Sequence, residues 1–201
     1  VASWDGTSWT ALGGGLGLSV GSGPWIQCLA VMPDGDLIAG GFFVHAGSGA
    51  TNIARWDGTN WTAMGNSPWT GQERVAGLLV RADGTLVATS LNYGPVHIAT
   101  WDGSTWTTIG TASANNLCHV SALHELPNGD LLVGGLMQQI DGVPIQGLAR
   151  GHDGQWFDMH AAVDRVGERV QSILAIDERL LVTGAFRAIG GLGRAYHARL
   201  D

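Results

Sequence analysis

The chain has 201 residues, a formal charge of −7 and 45% hydrophobic content, one domain's worth of globular rather than disordered sequence. Glycine supplies 32 residues and tryptophan 9, without the every-third-position glycine of collagen. Every basic residue is Arg and none clusters, so nothing would neutralise phosphates and nucleic acid is excluded as a partner; apolar runs of a few residues are too short for a membrane span.

In chain order, the first landmark is Trp4-Asp5-Gly6 followed by Trp9. The Gly-rich stretch Gly13 to Gly17 has no Lys and precedes no helical pattern, so it reads as a linker. A short apolar strand from Ile26 to Met32 then enters the turn Pro33-Asp34-Gly35-Asp36, and Leu37-Ile38-Ala39-Gly40-Gly41-Phe42 leaves it. Asp-Gly pairs supply the positive-φ residues of a tight hairpin, and paired glycines at a strand end permit close backbone approach. A variable loop leads to a third strand ending in Trp56-Asp57-Gly58, and Trp61-Thr62-Ala63-Met64 is the fourth.

This pattern recurs. First strands are expected at Val75 to Arg81, Val120 to Leu126 and Val170 to Ile176. Turns follow at Ala82-Asp83-Gly84-Thr85 and Pro127-Asn128-Gly129-Asp130. Second strands are Leu131-Leu132-Val133-Gly134-Gly135-Leu136, Leu181-Val182-Thr183-Gly184-Ala185-Phe186 and an eroded Leu86-Val87-Ala88-Thr89-Ser90-Leu91. Trp101-Asp102-Gly103 with Trp106 repeats the tryptophan signature, and His152-Asp153-Gly154 with Trp156 is a degraded copy. The Asp residues step by 52, 45 and 51 positions. Four strands per repeat, punctuated by Gly and aromatics, predict an all-β fold: a β-propeller of four-stranded antiparallel blades with four repeats of about 45–52 residues.

The Gly-Gly pair followed by an aromatic-Asp turn and a Trp resembles the Kelch-type repeat. The Trp-Asp-Gly wording is similar to divergent Kelch-like repeats of secreted bacterial proteins, related to the central domain of galactose oxidase. The resemblance covers all four repeats, residues 1–201, as a single propeller segment, and it implies an extracellular or cell-surface setting. Third-strand segments number five, ending at Asp5, Asp57, Asp102, Asp153 and Asp201, against four of each other type. Either the chain is part of a larger ring of six to eight blades, or two chains complete one ring through an open blade edge, or the extra segment is a redundant terminal strand. A chain opening on Val1 rather than Met is expected to be a processed or excised piece, and no signal-peptide or lipidation pattern is read in it.

The loops joining strands two to three, and the links between repeats, vary and emerge on one face, where ligand-binding residues are expected. The links carry Pro24-Trp25 and Pro68-Trp69, the two Trp outside the repeat signature, then Asn115, Asn116 and His119, then Asp164, Arg165, Glu168 and Arg169. The strand-two-to-three loops carry His45, Asn92, Tyr93, Gln138, Gln139, Asp141 and Arg187. Aromatic platforms beside amides and carboxylates suit a sugar ring and equally suit a protein partner; packing over the seam between blades is the competing role for Trp25 and Trp69. The seven signature Trp are expected to be packing residues, and the Asp of Trp-Asp-Gly a turn former.

Catalytic and metal patterns are thin. The seven His form no His-x-x-x-His pair, no nucleophile elbow or phosphate loop occurs, and Asp34, Asp36, Asn128 and Asp130 lack a calcium-loop framework. No catalytic residue, metal or cofactor is therefore assigned. Cys28 and Cys118 fit one disulfide or, more commonly, two buried thiols. The family resemblance raises a copper-radical oxidase, for which only Tyr93, Tyr196, Cys28 and Cys118 are available and the ligand motifs are not matched. The expectation is a non-catalytic recognition or scaffold module with a carbohydrate or protein ligand, with blade-completing assembly as the alternative.

Overall fold

The computed structural model describes residues 1–17, 24–44, 49–69, 73–160, 168–176, 179–186, 188–189, 192–193 and 197–200. Among them every regular element is a strand and no helix occurs. A hairpin of β1 (Ala2–Trp4) and β2 (Trp9–Ala11) comes first. Then β3 (Trp25–Val31), β4 (Leu37–Val44), β5 (Thr51–Trp56) and β6 (Trp61–Ala63) pair antiparallel in sequence order. The same meander recurs in β7 (Arg74–Val80), β8 (Leu86–Asn92), β9 (Val96–Trp101) and β10 (Trp106–Ser113).

The third unit places a short hairpin, β13 (Gln139–Ile140) and β14 (Val143–Pro144), between its second and third strands. Its meander is β11 (Cys118–Glu125), β12 (Leu131–Leu136), β15 (Leu148–His152) and β16 (Gln155–Asp158). In the fourth, β17 (Arg169–Ile176), β18 (Arg179–Ala185) and β21 (His197–Leu200) form a three-stranded sheet beside the ribbon of β19 (Ala188–Ile189) and β20 (Leu192–Gly193). The second and third units are not separate sheets. β11 pairs with the end of β8, and β13 with the end of β10, so they merge into one ten-stranded sheet. The segment expected to be a free loop is strand here because Ile140 and Ile145 anchor it in the core.

Each first strand carries a one-residue register shift, between Ile26 and Cys28, Val75 and Gly77, Val120 and Ala122, and Val170 and Ser172. A bulge of this kind bends the strand and re-aims the side chain beside it. It also brings the strand's backbone close to its partner: a Cβ on Gly41 or Gly135 would overlap the carbonyl oxygen of Trp25 or His119.

The core is laid down in layers between successive units. Ile38 and Ile53 meet Val75, Leu86 and Trp101; Val87 and Ile98 meet Val120, Val133 and Trp156; Leu132 and Leu148 meet Val170, Ile173 and Val182. Alternate residues of one strand serve different layers, as Val87 does against Leu86 and Ala88, because successive side chains leave a strand on opposite faces. Second strands, buried on both faces, are therefore almost continuously apolar.

Two expected alignments shift by one residue. Leu180, not Leu181, occupies the place of Leu37, since Leu180 pairs with Leu200 as Leu37 does with Trp56. The fourth turn is shorter: two residues separate Ile176 from its partner Arg179, against three between Met32 and Asp36. Likewise Gly151, not His152, stands where the first signature Trp stands, because Gly151 pairs with Trp156 as Trp56 does with Trp61.

Candidate functional site

Antiparallel pairing sends the first-to-second and third-to-fourth turns to one end of the strands, and the second-to-third connections and inter-unit links to the other. The turn end is closed by its own chemistry. Asp57 accepts from the backbone N–H groups of Thr59 (2.8 Å) and Asn60 (2.7 Å), and Asp5 and Asp102 repeat this with the residues that follow them. The Asn60 N–H, then that of Thr59, holds the Asp57 carboxyl below the usual range. The candidate calcium residues are engaged by the chain itself: Asp34 and Asp36 pair with Arg55, and Asp130 pairs with Arg150 and shares a hydrogen bond with His152. Among the described residues no three His, Cys, Asp or Glu side chains are grouped to hold a metal.

The link end holds two features. Trp25, the first residue of β3, is 60% exposed and stands opposite Phe42 in the register. The Arg74 guanidinium carbon lies 4.9 Å from the Trp25 ring centroid and 5.0 Å from that of Phe42, a cation–π arrangement. Its neighbour Glu73 turns inward, buried, to the Ser90 hydroxyl and the His97 backbone N–H, and Arg74 has no carboxylate partner among the described residues. The second feature is a groove of about 310 Å³ lined by Ser113, Ala114, Asn115, Gln138, Gln139 and Pro144. There Gln138 Oε1 accepts from the Asn115 backbone N–H (3.0 Å), and Gln139 Nε2 donates to Ser113 Oγ (2.7 Å).

The expected site residues divide. Asn115 and Gln138 come together in the groove, and Trp25 is an open platform. Tyr93 is 84% exposed just past the end of β8. His119 is half-buried, with Nε2 buried and unpartnered among the described residues. Burial, then the Arg169 charge, pushes its imidazole down to about 4. Asp141 is a turn residue: at φ 49° it accepts from the Thr111 backbone N–H at 2.9 Å.

Trp69 is corrected. It is 2% exposed and packs edge-on against Trp106 at 4.8 Å, so it belongs to the core between the first and second units and offers a ligand no face. His45, Arg165 and Arg187, with Asp164 and Tyr196, lie outside the described residues. Phe42 and Arg74 were not anticipated. The signal for Arg74 was present, since Glu73-Arg74-Val75 recurs as Glu168-Arg169-Val170. Cys28 and Cys118 are unbonded thiols, and no helix of the described residues is long and apolar enough to cross a membrane.

No family model matches the chain, and no curated protein matches it. A solved structure from Dyadobacter fermentans, described as a protein of unknown function, is similar with a TM-score of 0.51 at 18% identity. The match covers 92% of this chain, which spans 63% of that one; at that identity the likeness is one of fold alone.

Proposed function

We propose that the four-strand units are blades of a β-propeller, or of part of one, and that the chain is a non-catalytic recognition module. The propeller reading is supported by the recurrence of one meander, by first strands that pack on one another from β3 to β7 to β11 to β17, and by core layers between units rather than within them. The observation that carries the recognition reading is Trp25. Of the signature Trp, Trp4 and Trp9 are exposed, against the expected packing role, and lie against each other in the first hairpin, whereas Trp25, outside the signature, is held open at the link end with an arginine across one face. A flat apolar ring beside fixed polar groups suits a sugar, and the Asn115–Gln138 groove offers amides at the same end of the strands. The Kelch-like resemblance carries the proposed extracellular or cell-surface setting.

A glycan array tests this. Binding of a sugar class by the chain, abolished in Trp25→Ala, is expected; no binding, or a profile unchanged by Trp25→Ala, overturns the reading. Assembly through open edges is the second reading, supported by exposed Leu29 and Val31 on β3 and Leu174 on β17. Molar mass in solution distinguishes it: a strict monomer of 21.0 kDa at all concentrations counts against completion of a ring by two chains.

A further inference from the structure

The register defines one position across the four units. Trp25 pairs with Phe42, Arg74 with Leu91, His119 with Leu136 and Arg169 with Ala185. Each is the residue just before the bulge of its first strand, at the link end. The next residue is apolar in every unit, as Ile26, Val75, Val120 and Val170, because it enters the core. The position itself varies, so the fold does not dictate it. In a chain of charge −7, three of its four occupants are Arg or His.

These occupants are also neighbours. Arg74 lies over Trp25. Arg74 and His119 flank Leu91, the register partner of both, and the Arg169 charge reaches His119. Since burial keeps His119 neutral, the positive charge of the row resides on Arg74 and Arg169. Three of the other described arginines are matched to acids: Arg55 to Asp34 and Asp36, Arg81 to Glu125, and Arg150 to Asp130. Arg74 has an aromatic pair instead, which orients its guanidinium and leaves its N–H groups available for a planar carboxylate.

We propose that this row is a binding site for an oligosaccharide of carboxylate-bearing sugars, an oligouronate: one ring stacks on the open face of Trp25, and a carboxylate of the adjoining residue passes the indole edge to meet the Arg74 guanidinium on the other face. The inference rests on the recognition reading above and names the ligand class of that site. An acidic peptide would satisfy the arginine, but its Asp and Glu side chains carry no flat apolar face to lay on the exposed indole, which is why a sugar is favoured.

Calorimetry with trigalacturonate, neutral α-1,4-galactotriose and hexaglutamate separates the possibilities. The site predicts binding of trigalacturonate that weakens as salt rises, and affinity for galactotriose lower by about tenfold or more, the worth of a charge-assisted hydrogen bond. Arg74→Gln is expected to lose a similar factor, while Arg179→Gln, at the exposed first residue of β18 at the turn end, changes nothing. The salt dependence is read on the unsubstituted chain and does not require Arg74→Gln to fold. Equal binding of galactotriose overturns the uronate inference and leaves sugar recognition standing. Hexaglutamate bound as tightly as trigalacturonate overturns the assignment to a sugar, and binding of none of the three overturns the inference, while the reading beneath it stands or falls on the glycan array.

Discussion

The indole N–H of Trp61 donates to the carbonyl of Leu12 at 3.0 Å, across 49 residues of chain. Trp106 makes the same bond to Met64 (2.7 Å) and Trp156 to Ile109 (3.2 Å). Each acceptor lies three residues after the signature Trp of the preceding unit, Trp9, Trp61 or Trp106. The fourth-strand Trp is thus a latch between neighbours, and its spacing in sequence is the spacing of the units.

Removing a latch while keeping an aromatic ring should cost stability. Trp61→Phe leaves the Leu12 carbonyl only the long bond from the Gly15 N–H at 3.4 Å, a loss of about 0.5–1.5 kcal/mol. Trp9 is 71% exposed and has no described carbonyl to latch to, so Trp9→Phe should stay within about 0.5 kcal/mol of the parent. Urea unfolding checks both; equal effects at the two positions would show that the bond contributes nothing beyond ring packing.

The second unit substitutes Thr89 for the glycine found at Gly40 and Gly134, and the structure supplies the compensation. Thr89 Oγ1 donates to the Val120 carbonyl at 2.8 Å, and its partner Gly77 has no Cβ, which would lie 2.6 Å from that oxygen. At Gly134 the partner is Ala122, and a new Cβ would sit 2.6 Å from Val170 Cγ1 and 3.1 Å from the Ala122 Cβ. Gly134→Thr alone should destabilise by about 1–3 kcal/mol through overpacking, and adding Ala122→Gly should recover part of it. A double variant no better than the single one would mean that the two positions are not coupled.

Burial pushes the thiols of Cys28 and Cys118 up to about 12. Only the thiolate is nucleophilic, so both should react slowly with a disulfide reagent in the native chain at mildly alkaline pH and promptly in urea. A stoichiometric burst from native protein would contradict the burial.

His152 Nδ1 meets Asp130 Oδ1 at 2.6 Å, and this hydrogen bond raises the imidazole above its ordinary value. The same bond, ahead of those from Asn128 and Arg150, lowers the Asp130 carboxyl to about 2. The His contribution is complete below its unfolded pKa, about 6.5, and is lost as pH rises through the folded value; the Asp contribution is present above about 3.9 and is lost as pH falls through the folded value. The pair therefore stabilises most between those limits. In Asp130→Asn the His152 titration followed by NMR should fall back toward its ordinary midpoint; an unchanged midpoint would show that the pairing does not hold in solution.

Strand positions were legible because short apolar runs bounded by Asp-Gly and Asn-Gly turns leave few alternatives. Register was less so. The likeness of His152-Asp153-Gly154 to Trp-Asp-Gly conceals Gly151, and matching Pro24-Trp25 to Pro68-Trp69 conceals that Arg74, not Trp69, holds the place of Trp25 in the pairing. A dipeptide match cannot register a bulge, and the bulge decides which side chain stands at the link end. The merging of the second and third units through β8 and β11 had no local signal, since it depends on where two strand ends meet.

The most direct test of recognition at the link end is the set of indole N–H resonances, titrated with trigalacturonate. Trp25 should shift most, with Arg74 and Asn115 backbone signals following, while the latched indoles of Trp61, Trp106 and Trp156 hold still. Perturbation centred on the turns from Asp34 to Asp36 and Asn128 to Asp130, or none at saturating sugar, would contradict the account.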